Sequence, residues 1–219
     1  MFFLEQLKKE FAKEWNALKE HSFLKDLAQG TLPQKCFFYY LSQDDYYLED
    51  LLSTVGMLVV KADDKDLKRF AIKLLKETVD GELMMHELLE KESEFSKSPK
   101  GKVASWYGDF LMQVAFKKSP FIIIASMLPC FVSYLEISTY YLKKALPGIP
   151  GLYRTWLESY AGGPYQELVE ELCRWFEKET LEAKDKEKLE AKNVFKRAIE
   201  LEWLFWEESY NCGKLTFKF

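Results

Sequence analysis

The amino-acid sequence predicts an all-α protein, a single-domain helical bundle over residues 1–219, on three observations. Apolar residues recur at three- and four-residue spacing through most of the chain. The breaks between these stretches carry Gly, Pro and polar residues at helix-end positions. Period-two alternation is absent except over Lys214 to Phe219, where a short strand is the one open alternative. With 48% hydrophobic and 16% aromatic residues, 219 residues fill one large core without needing a second domain.

The elements follow in order. Leu4, Leu7, Phe11, Trp15 and Leu18 form one amphipathic stripe, and Gly30 with Pro33 marks the turn after this region. Pro33 suits the first turn of a long helix to about Ala62, and Asp63 or Asp64 can cap the next, which runs towards Phe95 with a bend at Gly81. Ser96 to Gly101 is a polar loop, a helix spans about Val103 to Phe116, and Ser119-Pro120 is a cap-plus-first-turn pair for a run to Ala145. Pro147 to Gly151 breaks the chain again. Helices at roughly 151–160, 164–183 and 185–210 complete it, with the Gly-rich turn Ala161-Gly162-Gly163-Pro164 between the first two.

Composition removes some functions. Lys plus Arg number 31 against 35 Asp plus Glu, a net charge of −4, so no broad basic field is available to hold a nucleic-acid backbone. The longest apolar run, Phe121 to Leu135, is interrupted by Ser126, Pro129 and Ser133 and reads as a buried core helix rather than a membrane span. Cys36, Cys130, Cys173 and Cys212 stand far apart with no CxxC pair, and the N-terminus has no signal-peptide layout. Four free thiols in a reducing, cytoplasmic compartment are therefore expected. Only Asn16, Asn193 and Asn211 are asparagines while Glu and Lys abound, a bias of heat-adapted proteins.

Four stretches place polar groups where a core is expected. In the aromatic segment Phe37 to Leu48, Tyr40, Asp44 and Tyr47 fall at i, i+4 and i+7 and share one helix face. If that face is inward, Asp44 is a buried carboxylate that must be hydrogen-bonded or used; the spacing equally allows Asp44 and Asp45 to face water. In Leu128-Pro129-Cys130, Pro129 removes a backbone donor and predicts a kink, and Tyr134 shares the face of Cys130. A cysteine in an apolar helix is most often an inert small hydrophobe, so this one needs other support. On the last helix Phe205 and Trp206 flank Glu202, which either snorkels or is a desolvated proton donor. Tyr160 precedes the Gly162-Gly163 turn, where its ring either reaches a cavity or packs on a neighbour. His21 and His86 default to surface or core roles; a di-iron bundle would need two Glu-x-x-His units, and the chain offers only Glu82 with His86 at i+4, which reads as a local polar pair.

Taken together, Tyr40-Leu41-x-Gln43-Asp44-x-Tyr46-Tyr47-Leu48, Leu128-Pro129-Cys130 with Tyr134 and Glu136, and Glu202-x-x-Phe205-Trp206 resemble the thiaminase II (TenA) family. The resemblance implies a haem-oxygenase-like bundle, a homotetramer without metal or organic cofactor. It implies hydrolysis of 4-amino-5-aminomethyl-2-methylpyrimidine to the hydroxymethyl compound, and slower cleavage of thiamine. It implies Cys130 as nucleophile, Glu202 as proton donor and Tyr47 as the group that activates the thiol. Asp44 then reads the pyrimidine's amidine edge, Tyr134 and Tyr160 contact the substrate, and Tyr107 and His86 form the pocket wall. Val132 and Ser138 depart from the family's usual tryptophan and glycine, which touches the pocket's outline. The competing functions are a non-catalytic pyrimidine or pyrimidine-phosphate binder, an oxidase of the same fold, which should carry more histidines, and a helical scaffold for partner proteins.

Overall fold

The computed structural model describes residues 2–83, 85–86 and 96–215, and the statements that follow concern these. The N-terminal apolar stripe is divided between α1 (Phe3–Glu10) and α2 (Ala12–Lys19), because Phe11 leaves helical geometry at φ −102° and ψ 32°. Leu4, Leu7, Phe11, Trp15 and Leu18 are all buried, so the stripe survives the break. α3 (Ser22–Gln29) ends at Gly30, whose φ of 74° lies in the left-handed region that glycine enters without a Cβ clash. His21 is a buried structural histidine: its Nδ1 caps α3 at the Phe23 amide (3.2 Å) and its Nε2 meets Glu207 at 3.1 Å.

α4 (Gln34–Lys61) follows Pro33, and α5 (Lys65–Glu77) is capped by Asp64, which accepts from the Asp66 and Leu67 amides. The bend expected at Gly81 takes a specific form: the helix widens into a π turn over Thr78–Leu83 before Met85 and His86 resume helical geometry. The expected continuation to Phe95 passes into residues 87–95, outside the described residues. α6 (Lys102–Lys117), α7 (Pro120–Leu142), α8 (Gly151–Tyr160), α9 (Gly163–Glu182) and α10 (Asp185–Tyr210) lie within a few residues of the expected bounds. Pro120 occupies the first turn of α7 as expected, but Ser119 makes no side-chain cap. Lys214 and Leu215 form no strand, and the rest of that expected segment lies outside the described residues.

α7 is the spine. Its 23 residues are long and apolar enough to cross a membrane, yet 89% of its most apolar 18-residue window is buried inside the protein, which assigns it to the core. It runs through Pro129 as one helix. α10 packs on α7, α4 packs on α6 and α5, and α10 closes the bundle against α4. Glu136 ties the N-terminal helices to this spine, accepting from Lys8 (2.6 Å), Lys19 (2.7 Å) and Trp15 Nε1 (3.1 Å).

The cysteine expectation is corrected: Cys36 and Cys212 form a disulfide across 176 residues of sequence, and only Cys130 and Cys173 are free. No short-range pattern announces such a bond, because it joins the start of α4 to the chain just beyond α10. The bond links the two helices that carry Asp44 and Glu202.

Candidate active site

The inward reading of α4 holds. Tyr40, Asp44 and Tyr47 are 0%, 3% and 3% exposed, so the face they share points into the core. Tyr40 donates its hydroxyl proton to Asp44 Oδ2 at 2.7 Å, while Trp156 Nε1 donates to the Tyr40 oxygen at 3.2 Å. One hydroxyl has one proton, so the Tyr134 hydroxyl, 3.2 Å away, acts as a further donor to Tyr40. The carboxylate of Asp44 is thus fixed on one oxygen by a phenol that is itself fixed twice.

His86 reaches the same carboxylate from the segment after α5. Its Nε2 stands 3.4 Å from Asp44 Oδ2 and its Nδ1 is 2.6 Å from Asp45 Oδ1. Burial disfavours the imidazolium, but the two carboxylates outweigh it and push the His86 pKa up to about 10. Asp45 is held in turn by Lys97 at 3.0 Å. The loop that carries Lys97 is pinned on α4 through Gln43, which accepts from the Gly101 amide (2.6 Å) and donates to the Pro99 carbonyl (3.1 Å). His86 is therefore a charged partner of Asp44, a stronger role than pocket wall.

A thiol and a further carboxyl lie on the helices facing α4. Cys130 on α7 is buried and free, and Glu202 on α10 is 2% exposed. Burial raises the Glu202 carboxyl to about 8, although the Tyr107 hydroxyl donates to it at 2.7 Å and favours the ionised form. The reading of Glu202 as a desolvated acid is the one realised. Burial also pushes the Cys130 thiol well up, the charges of Glu202 and Glu82 add to this, and the Tyr47 phenol opposes it. Cys130 is consequently a thiol, not a standing thiolate. The thiol favours the ionised form of Glu202, which makes that carboxyl the natural acceptor of its proton.

Aromatic rings enclose the space between these groups. Tyr134 lies 5.1 Å from Tyr160 and 5.3 Å from Trp206, ring centre to ring centre, and Tyr47 lies 4.7 Å from Tyr107. Gly162, at φ 101°, makes the turn that sets Tyr160 at the end of α8. Three buried polar atoms of this cluster, Tyr47 Oη, Tyr160 Oη and Trp206 Nε1, have no hydrogen-bond partner among the described residues, and His86 Nε2 has only its 3.4 Å approach to Asp44. Leaving such groups unsatisfied costs about 1–3 kcal/mol each, so their convergence at one place is a mark of a ligand site.

All eight residues singled out from sequence meet here: Asp44, Tyr47, His86, Tyr107, Cys130, Tyr134, Tyr160 and Glu202 are each under 10% exposed. Sequence reasoning missed Trp156, Asp45 and Glu82 as members. Trp156 precedes Tyr160 by one helical turn on α8, a spacing that could have found it. The Asp45–His86 pair spans 41 residues and leaves no local trace.

The fold and these groups define a class: a haem-oxygenase-like helical bundle with a buried centre of thiol, carboxyls and phenols. The chain matches the model of the TENA/THI-4/PQQC family over residues 8–212 and belongs to that family. The aminopyrimidine aminohydrolase of Halalkalibacterium halodurans is 28% identical across 96% of this chain and 96% of its own length. The solved TenA homologue from P. horikoshii superimposes with a TM-score of 0.88 at 27% identity, covering 97% of this chain and 100% of that one. A Shewanella denitrificans domain with a heme oxygenase-like fold has a TM-score of 0.74 at 12% identity, over 95% of this chain and 92% of its own, which concerns the fold alone.

Proposed function

We propose that the protein is a thiaminase II-type aminopyrimidine aminohydrolase, converting 4-amino-5-aminomethyl-2-methylpyrimidine to its hydroxymethyl counterpart and cleaving thiamine as a second substrate. The observation that carries this reading is the enclosure of one free thiol, Cys130, between a carboxyl raised to about 8, Glu202, and a fixed carboxylate, Asp44. An aminopyrimidine ring is a poor electrophile until a ring nitrogen is protonated, so it needs an acid on one side and a soft nucleophile on the other. Asp44 accepts from the amino group of the amidine edge, and the rings of Tyr134, Tyr160 and Trp206 wall the heterocycle.

The steps balance without a further reactant. The sulfur of Cys130 bonds to the ring carbon next to the one bearing the methylene, and its proton passes through Glu202 to the ring nitrogen. The substituent then leaves the methylene as ammonia or as the thiazole. Water bonds to the methylene and gives up one proton, which makes up for the proton the amine carries away as ammonia or, with thiamine, passes to solvent; the carbon–sulfur bond breaks, and the ring proton returns through Glu202 to sulfur. Both reacting groups are side chains, so no metal or organic cofactor is required. The same reading makes the protein a cytoplasmic homotetramer acting on a small molecule, not on nucleic acid or at a membrane. A disulfide is compatible with that compartment in heat-adapted organisms, whose intracellular proteins are disulfide-rich, and the scarcity of asparagine points the same way.

The test is release of ammonia from the aminomethylpyrimidine by purified protein with chelator present. Turnover under that condition is expected; activity that vanishes with chelator and returns with iron contradicts the mechanism. Asp44→Asn should weaken binding and turnover together, because the amide offers one acceptor where the carboxylate offers two. A lost charge-assisted hydrogen bond is worth about 1.5–3 kcal/mol, so kcat/KM should fall at least ~10-fold. An unchanged kcat/KM would remove Asp44 from substrate recognition.

A further inference from the structure

Glu202 is not the only carboxyl inside this cluster. Glu82 lies in the π turn Thr78–Leu83, four residues before His86. That segment is anchored by His86, through its 2.6 Å contact to Asp45 and its 3.4 Å approach to Asp44. π turns interrupt helical register and recur at functional sites, where they re-aim a side chain. The residue as a whole is partly exposed, yet its carboxyl is desolvated, and burial followed by the charge of Asp44 raises it to about 8. His86 and the Tyr160 hydroxyl oppose that rise. Tyr160, Tyr165 and Cys130 each feel the charge of Glu82 in turn. Tyr160 and Tyr165 stand edge to face at 5.0 Å, and the Tyr160 hydroxyl is one of the buried atoms without a partner.

Two acids thus act on Cys130 from different helical segments. Glu202 stands with Tyr107 at 2.7 Å, beside Tyr47. Glu82 stands with Tyr160, Asp44 and His86. The order of groups around an aminopyrimidine matches this division. The amidine edge read by Asp44 is followed by the carbon bearing the methylene, then by the carbon attacked by Cys130, then by the ring nitrogen served by Glu202. The leaving group thus lies between Asp44 and Cys130, two of the groups to which Glu82 is coupled.

We propose that Glu82 is a second catalytic acid–base, acting on the leaving amine and on the incoming water while Glu202 serves the thiol and the ring nitrogen. This inference rests on the aminohydrolase reading. As the carbon–nitrogen bond breaks, the Glu82 proton goes to the amine nitrogen, which departs as ammonia. As water bonds to the methylene, the Glu82 carboxylate takes its proton and is restored. The net change is amine plus water to alcohol plus ammonia.

Thiamine separates this role from a structural one. Its thiazolium leaves as a neutral thiazole and needs no proton, so only the water step draws on Glu82. Glu82→Gln should slow both reactions, but the kcat ratio of amine hydrolysis to thiamine cleavage should fall at least ~10-fold, less than the roughly 100-fold lower bound for lost general acid–base help because the water step slows for both substrates. Glu82→Ala should regain amine turnover when formate is added, since a small carboxylic acid can take the vacated place. If the unmodified protein hydrolyses neither substrate, the aminohydrolase reading fails and the inference with it. If it hydrolyses both, and the Gln variant leaves the ratio unchanged while formate restores nothing to the Ala variant, Glu82 is not the second acid.

Discussion

Cys130→Ala is expected to fold, to bind the aminopyrimidine and to lose turnover by at least ~1000-fold, a barrier increase of about 4 kcal/mol. The buried position of this residue permits two opposite outcomes. Were Cys130 only core packing, losing its sulfur would cost stability, of order 1 kcal/mol, and leave catalysis intact. As the nucleophile it should do the reverse. Its environment favours the second outcome because the thiol is not surrounded by hydrocarbon alone: Tyr47 favours its ionised form, and its proton has an acceptor in Glu202. The high pKa does not count against nucleophilic use, since transfer to Glu202 as the bond forms supplies the thiolate only when it is needed. Tyr47→Phe should fall between the two enzymes, because it removes the phenol and leaves the acceptor. Calorimetric titration with the substrate and thermal melting of the variant separate the outcomes: retained affinity with lost turnover supports the nucleophile, whereas lost stability with retained turnover supports packing.

The second large effect concerns Glu202→Gln, for which turnover should drop roughly 100- to 10,000-fold, the range for removal of a general acid–base. Glutamine keeps the volume and can still meet the Tyr107 hydroxyl, but it can neither take the thiol proton nor give one to the ring. The pH dependence of the unmodified protein carries the same information. Glu202 and Glu82 are both raised to about 8, and each must enter the reaction able to give a proton. The acid form is complete well below that value and is lost as pH rises through it, so kcat/KM should decline above about pH 8 as a property of the two carboxyls together. A glutamate at its ordinary value would show no such limb there. A profile that is flat from pH 6 to 10 would mean that neither carboxyl acts as an acid in the free enzyme.

Most of the helical framework was legible because its causes are local. The Gly30–Pro33 break, the Asp64 cap and Pro120 in the first turn of α7 are each read from a few neighbouring residues. The Tyr40–Asp44–Tyr47 face was legible for the same reason, although only tertiary packing decides that it turns inward rather than to water. What escaped depends on distance in sequence. The Cys36–Cys212 bond and the Asp45–His86 pair are made by chain segments that meet only after folding. Glu82 escaped for a subtler reason: reading it with His86 as a local polar pair at ordinary helical spacing leaves no place for a π turn, and that turn interrupts the register on which the reading depends. The thiol's state escaped too, since its protonation is set by burial, by Glu202 and Glu82, and by Tyr47, from three separate elements.

The measurement that most directly tests covalent catalysis by Cys130 is steady-state ammonia release from the aminomethylpyrimidine by Cys130→Ala beside the unmodified protein. A rate at least ~1000-fold lower, with the pyrimidine still bound, is the expected result. A rate within about tenfold, equivalent to only ~1.4 kcal/mol in the barrier, would contradict it.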